Sequence, residues 1–171
     1  MPAFLFAAGI CSGATSGCMC GTIKLQKNVY IDGKGIIMEL EPGIKNKKEL
    51  TVTKDMCADA WGSGGLPVYA TPAMTALMEN TAWESVEPCM DEGYSTVGTH
   101  LDVSHLSASP VGSHITCESE LVEVDGRKLT FRVKAWDDAG PIGEGMHERF
   151  IINIGKFMAR TEAKHQEKEG K

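Results

Sequence analysis

Leu66-Pro67-Val68-Tyr69-Ala70-Thr71-Pro72-Ala73-Met74-Thr75-Ala76-Leu77-Met78-Glu79-Asn80 is the stretch on which the reading of this chain turns. Thr71 is a good N-cap, because its hydroxyl can accept from an unpaired amide of a first helical turn, and Pro72 follows where a missing N–H costs nothing. A helix is therefore expected to begin at Thr71. Met74, Leu77, Met78, Thr81 and Ala82 recur at spacings of three and four, which makes an apolar stripe. Pro88 and the Asp91-Glu92-Gly93 run stop the pattern, giving a helix of about four to five turns. Glu79 stands among buried-looking neighbours two turns into this helix. A lone helical Glu is ordinarily solvated, so its setting calls for a reason.

Outward from the helix, the flanking segments alternate. Before it, Glu49 to Thr53 is rich in β-branched residues and reads as a first strand; Asp55 to Gly65 then ends in Gly62-Ser63-Gly64-Gly65, an ordinary flexible connection or a mobile lid. After it, Thr96 to His105 puts Val97, Leu101, Val103 and His105 on one face, and Ile115 to Val124 continues the alternation. Asp125-Gly126 is a hairpin dipeptide, Leu129, Phe131, Val133 and Ala135 face one way, and Asp137-Asp138-Ala139-Gly140 makes the next turn. Ile142 to Ile154 is the last strand, with Gly143 and Gly145 leaving room for close approach of a backbone or ligand. One strand, a long helix and four consecutive strands bury both the helix stripe and a sheet face only if the sheet wraps the helix. This is an α+β chain in the hot-dog arrangement, an antiparallel sheet around a long central helix.

The 171 residues suit one core with no need of a metal or disulfide staple. A hydrophobic share of 42% with 23% charged residues is ordinary for a soluble protein, and the formal charge of −6 argues against nucleic-acid or anionic-membrane partners. No run reaches the length of a membrane span. Cysteines at 11, 18, 20, 57, 89 and 117 lack the spacing of a zinc site, so no metal is expected. Cys57, Cys89 and Cys117 read as small buried hydrophobes in a reducing, cytoplasmic setting. Residues 1–37 form an extension outside the core: an apolar run, Met1 to Cys11, resembles a weak signal peptide but has no Lys or Arg before it, and a Gly/Ser/Cys-rich piece follows. The domain is expected over 38–160, opening at Met38-Glu39-Leu40, and the Lys/Glu-rich tail of 161–171 reads as a solvated helix that frays.

From Met38 to Arg160 the chain resembles the fluoroacetyl-CoA thioesterase-like group of hot-dog proteins. The resemblance is carried by Ala70-Thr71-Pro72, Leu77-Met78-Glu79, Thr96-Val97-Gly98-Thr99, Val103-Ser104-His105, Glu123 to Arg127, Leu129 to Val133 and Ile142 to Arg149. Members hydrolyse acyl-CoA thioesters through a Thr, a Glu and a His, with the amide of a strand glycine near the thioester carbonyl. Carried onto this chain, these are Thr71, Glu79, His105 and Gly98. In the fluoroacetyl-specific enzyme an aromatic lid stands just upstream of the Thr, whereas here the stretch is Gly62-Ser63-Gly64-Gly65-Leu66. Gly64, Gly65 and Leu66 become the substrate-binding candidates of that loop, and selectivity for a fluorinated acyl group is not implied.

The chemistry is reasonable apart from the resemblance. Thioester hydrolysis needs an activated water or nucleophile, a donor to the developing oxyanion and a group that moves protons near neutral pH. Glu79 can be base or nucleophile, His105 titrates in the right range, and Thr71 can orient either partner or the water. The expected function is hydrolysis of a short or small acyl-CoA to the acid and CoA, with no cofactor beyond the CoA of the substrate. A hot-dog enoyl-CoA hydratase and a non-catalytic acyl-CoA-binding protein are the alternatives. His100, His114 and His147 read as structural and Arg149 as an ion-pair partner. A single wrapped sheet leaves an edge strand that two subunits can join, so a homodimer or higher homo-oligomer is expected.

Overall fold

Thr71–Val86 forms a sixteen-residue helix, α2, and its stripe of Met74, Leu77, Met78, Thr81 and Ala82 is buried together with Ala73 and Val86. The computed structural model describes residues 28–31 and 37–169, with side chains described for 40–164. In chain order the elements are β1 (Asn28–Ile31), β2 (Ile37–Leu40), β3 (Lys45–Thr51), α1 (Ala58–Trp61), α2, β4 (Tyr94–His105), β5 (His114–Asp125), β6 (Lys128–Asp137), β7 (Gly140–Asn153) and α3 (Ile154–Glu169). A 3-10 turn at Glu87–Cys89, built on Pro88, ends α2.

β3 to β7 make one antiparallel sheet in the order β3-β5-β6-β7-β4, and α2 packs against all five strands. This is the wrapped sheet expected for a hot-dog fold. The inner face is apolar: Ile115, Cys117 and Leu121 of β5, Leu129, Phe131, Val133 and Ala135 of β6, and Ile142 and Ile151 of β7 are all buried. Full burial of one such side chain stabilises by about 1.5–3 kcal/mol, so this surface holds α2 in place. Gly143 admits α2 closely, since a Cβ there would run into the Met74 thioether, while a Cβ at Gly145 would collide with the β4 backbone at Asp102 and Val103.

Several sequence expectations shift. β3 runs over 45–51 rather than 49–53, because its ladder with β5 extends to Lys45↔Glu120 and closes at Thr51↔His114. Lys45, Lys47 and Glu49 are tolerated there because their face of the strand is solvated. α3 begins at Ile154, seven residues before the charged tail, because Asn153 Oδ1 accepts from Lys156 N at 3.0 Å and caps a helix there. Ile154 is therefore helical and not the end of the last strand. The connection before α2 is shaped by α1, which ends in Gly62 at φ 65°. Cys57 and Cys117 are buried but Cys89 is only half-buried, because it sits in the turn that leaves α2. The Cys117 thiol is pushed up to about 11, chiefly by burial, as suits an inert core group.

The domain start expected at Met38 falls inside β2, whose Met38 pairs with Tyr30 of β1 in a separate two-stranded sheet. Leu40 is part of the core. The apolar run from Met1 to Cys11, Cys18 and Cys20 lie outside the described residues. No helix among the described residues is long and apolar enough to cross a membrane.

Candidate active site

The chain enters α2 along a fixed path. Val68 bridges Pro110, Tyr69 N donates to Ser109 O at 2.8 Å, and Ala70 N donates to Met56 O at 2.9 Å. Ala70, not Thr71, is therefore the N-cap, and Pro72 follows in the first turn. The Thr71 hydroxyl makes no cap; it lies 2.7 Å from Nδ1 of His105, the last residue of β4. The capping reading fails because the extended Ala70 takes the N-cap position and Thr71 is already the first helical residue. His105 Nε2 is buried and has no hydrogen-bond partner among the described residues. Thr71 and His105 are thus a hydrogen-bonded pair at the N-terminal end of α2.

Two turns further along, the Glu79 carboxylate reaches the sheet at Gly98. A Cβ on residue 98 would collide with Glu79 Oε1 and come within 3.2 Å of the His147 ring, so only glycine leaves the carboxylate its place. The Glu79 side chain keeps 41% of its surface exposed, and its Oε1 is 3.9 Å from His147 Nε2. It is both reachable from solvent and backed by a buried polar group.

A β-bulge lets Gly98 and His105 serve the same side of the sheet. Along β4 the register passes from Gly98↔Arg149 to His100↔Glu148, leaving Thr99 as an extra residue whose hydroxyl donates to Glu148 O. Before the bulge the buried positions are Tyr94 and Thr96; after it the less exposed ones are Leu101, Val103 and His105. Val97 therefore lies on the opposite face from Leu101, Val103 and His105, contrary to a simple alternation.

Beneath Glu79 the inner face of β7 is polar, and this cluster was not assigned to the site from sequence. Arg149 is buried; its Nε donates to Thr96 Oγ1 and its Nη2 to Thr96 O, both at 2.8 Å. Its Nη1 lies 3.2 Å from Nε2 of His147, which is fully buried. The expected ion-pair role of Arg149 thus gives way to hydrogen bonds within the sheet. Burial lowers its pKa, with the Glu79 and Glu87 charges acting against that shift. His147 is likewise not a bland core residue but part of the wall behind Glu79. The available sequence signal was two polar residues on the inward face of Gly143 and Gly145.

Gly64, Gly65 and Leu66 lie in the exposed connection between α1 and α2, where Leu66 is 66% exposed and its carbonyl accepts from Asp59 N. The structure brings together Thr71 with His105 and Glu79 with Gly98. The first pair stands apart from the second along α2, by about 12 Å at 1.5 Å per residue.

A five-stranded antiparallel sheet wrapped on a central helix is the hot-dog fold, and the family match makes this a thioester hydrolase of that class. Residues 52–155 match the fluoroacetyl-CoA-specific thioesterase family, and the chain belongs to that family. It is 39% identical over 97 residues to the fluoroacetyl-CoA thioesterase of Streptantibioticus cattleyicolor, covering 57% of this chain and 70% of that one. A solved structure of the fluoroacetyl-CoA thioesterase FlK superposes with a TM-score of 0.70 at 31% identity, over 73% of this chain and 97% of that one. A thioesterase superfamily member from Thermus thermophilus gives a TM-score of 0.71 at 26% identity, over 76% of this chain and 96% of that one.

Proposed function

We propose that this protein hydrolyses a short acyl-CoA thioester to the carboxylic acid and CoA, with Glu79 as base or nucleophile, His105 as acid and base, and Thr71 orienting. The observation that carries the reading is the Glu79 carboxylate lying over Gly98 where no side chain fits. A thioester carbonyl placed at Gly98 meets the carboxylate or the water it activates, and the Gly98 amide is the donor to the oxyanion. The oxygen of Glu79, or of a water that gives its proton to Glu79, attacks the carbonyl carbon, the C–S bond breaks, and the CoA sulfur takes up a proton through the Thr71–His105 pair of the dimer's other chain, whose partners are already at 2.7 Å.

The working unit in this reading is residues 38–160 in a cytoplasmic homodimer, with Gly64, Gly65 and Leu66 lining the approach of the acyl group. The relatives named for fluoroacetyl-CoA do not fix the acyl group here, because the loop that would carry an aromatic lid is glycine-rich. Thiol release is to be measured over a panel of saturated acyl-CoAs, fluoroacetyl-CoA included, beside Glu79→Gln. The near-isosteric variant should keep the fold and lower kcat by about a hundredfold or more. Activity within a few-fold of wild type would remove Glu79 from the mechanism.

A further inference from the structure

His147 is fully buried on β7, and its two ring nitrogens face opposite requirements. Nδ1 is 2.9 Å from the His100 carbonyl, which can only accept, so Nδ1 carries the proton. Nε2 is 3.2 Å from Arg149 Nη1, which can only donate, so Nε2 presents a bare lone pair. Both contacts select the same neutral tautomer. Protonation would set an Nε2–H against the guanidinium N–H. The groups that act on the ring are Glu79 from α2, Arg149 and Glu148 from β7 and the His100 carbonyl from β4; the ring nearest from β6 is the apolar Phe131, 6.3 Å between centroids. Burial dominates among these influences and lowers the pKa of His147.

We propose that His147 is a positioning residue: its fixed lone pair, together with Thr96, locks the Arg149 guanidinium in one orientation behind Glu79 and so holds the carboxylate over Gly98. The inference rests on Glu79 being the reacting carboxylate. The guanidinium is one rigid plane, held by Thr96 at Nε and Nη2 along one edge and by His147 at Nη1 on the other, so the His147 contact stops it from tilting about the Thr96 edge. Nη1 is also the arm turned toward the reaction centre, since a Cβ on Gly98 would lie 3.7 Å from it. With the Nε2 acceptor removed, the arm beside Gly98 loses its only hydrogen-bond partner among the described residues, and the charge that acts on Glu79 from behind is held less firmly.

Two substitutions separate the nitrogens. His147→Gln places an amide oxygen near Nε2 and keeps the acceptor for Arg149, whereas His147→Asn places an amide N–H near Nδ1 and keeps only the bond to His100 O. Steady-state thiol release should show kcat of H147Q within about threefold of wild type and that of H147N lowered by about ten- to a hundredfold, with KM changed by less than about threefold in both. Equal rates in the two variants would overturn the proposal, whether both are active or both impaired. The imidazole 15N spectrum of the wild-type protein provides a readout that needs no variant. It should show a protonated Nδ1 and a bare Nε2 that persists as pH falls from about 8 to about 6. A protonated Nε2 at neutral pH would overturn the proposal even if H147N fails to fold. A wild-type protein that releases no thiol from any acyl-CoA would instead refute the activity, and the spectrum would still decide whether His147 is locked.

Discussion

A buried imidazole that must stay neutral ties stability to pH. The pKa of His147 is depressed below its ordinary value of 6.5, chiefly by burial, so in the window below 6.5 the unfolded chain binds this proton more readily than the folded one. Its neutral form therefore supports the fold fully above about pH 6.5, and that support is lost as pH falls toward the folded pKa. Melting temperature should drop between about pH 7.5 and pH 5.5 by more in the wild type than in H147Q, which has no such group to charge. Equal slopes in the two proteins would show that His147 titrates as it does in water. At this scale the resemblance could point to Thr71, Glu79, His105 and Gly98 because the helix-entry and strand motifs that carry them are local, and the structure pairs Thr71 with His105 and Glu79 with Gly98. His147 and Arg149 are not legible as one cluster because their partners, the His100 carbonyl and Thr96, lie on β4, about fifty residues away in sequence, and only the β4–β7 register brings them into reach. Likewise Thr71 looked like a cap because nothing local announces that Ala70 will take the cap position and His105 the hydroxyl.

At the scale of elements the decisive irregularity is Thr99. Strict alternation along β4 predicts Val97 and His105 on one face, and the bulge changes that, so Gly98 meets α2 and His105 still meets Thr71. Period-two reasoning could not find it, since a bulge inserts one residue without altering composition. Deleting Thr99 should restore a regular ladder and turn one half of β4 over. Either Gly98 leaves Glu79 and Arg149 loses Thr96, or His105 leaves Thr71. Activity should be lost in both cases. Stripping the partners from a buried guanidinium costs about 3–5 kcal/mol, so chemical denaturation should show a large loss of stability if the first half turns. Wild-type activity in the deletion variant would mean that the bulge does not set the site. The helix stripe and the inward sides of β6 and β7 were legible for the opposite reason: they are regular, and every inward position is apolar or glycine until His147. The N-terminal boundary is testable at the same scale. A chain beginning at Met38 keeps Leu40 in the core but loses β1, and it should melt cooperatively with wild-type activity if β1 only decorates the domain. An insoluble product beside a soluble full-length protein would make β1 part of the fold.

The whole molecule poses a question of distance. Thr71 and Glu79 lie about 12 Å apart along α2, whereas a hydrogen bond spans about 3 Å, so one helix does not bring them to a common atom. The sheet order leaves β3 and β4 as edges, and β4 carries both Gly98 and His105. If two copies pair antiparallel through β4 about a two-fold axis near Leu101 and Asp102, Gly98 of one chain faces His105 of the other. Glu79 over Gly98 would then meet the partner's Thr71–His105 pair, and each dimer would hold two composite sites. Mixing Thr71→Ala with Glu79→Gln under conditions of subunit exchange tests this arrangement. In a heterodimer one site receives Thr71 from one chain and Glu79 from the other, both intact, while the second site lacks both. Two inactive proteins should therefore regain up to half of the wild-type activity per heterodimer. Confirmed exchange, measured by size or by a fluorescent label, with no return of thiol release would place both residues of a site on the same chain.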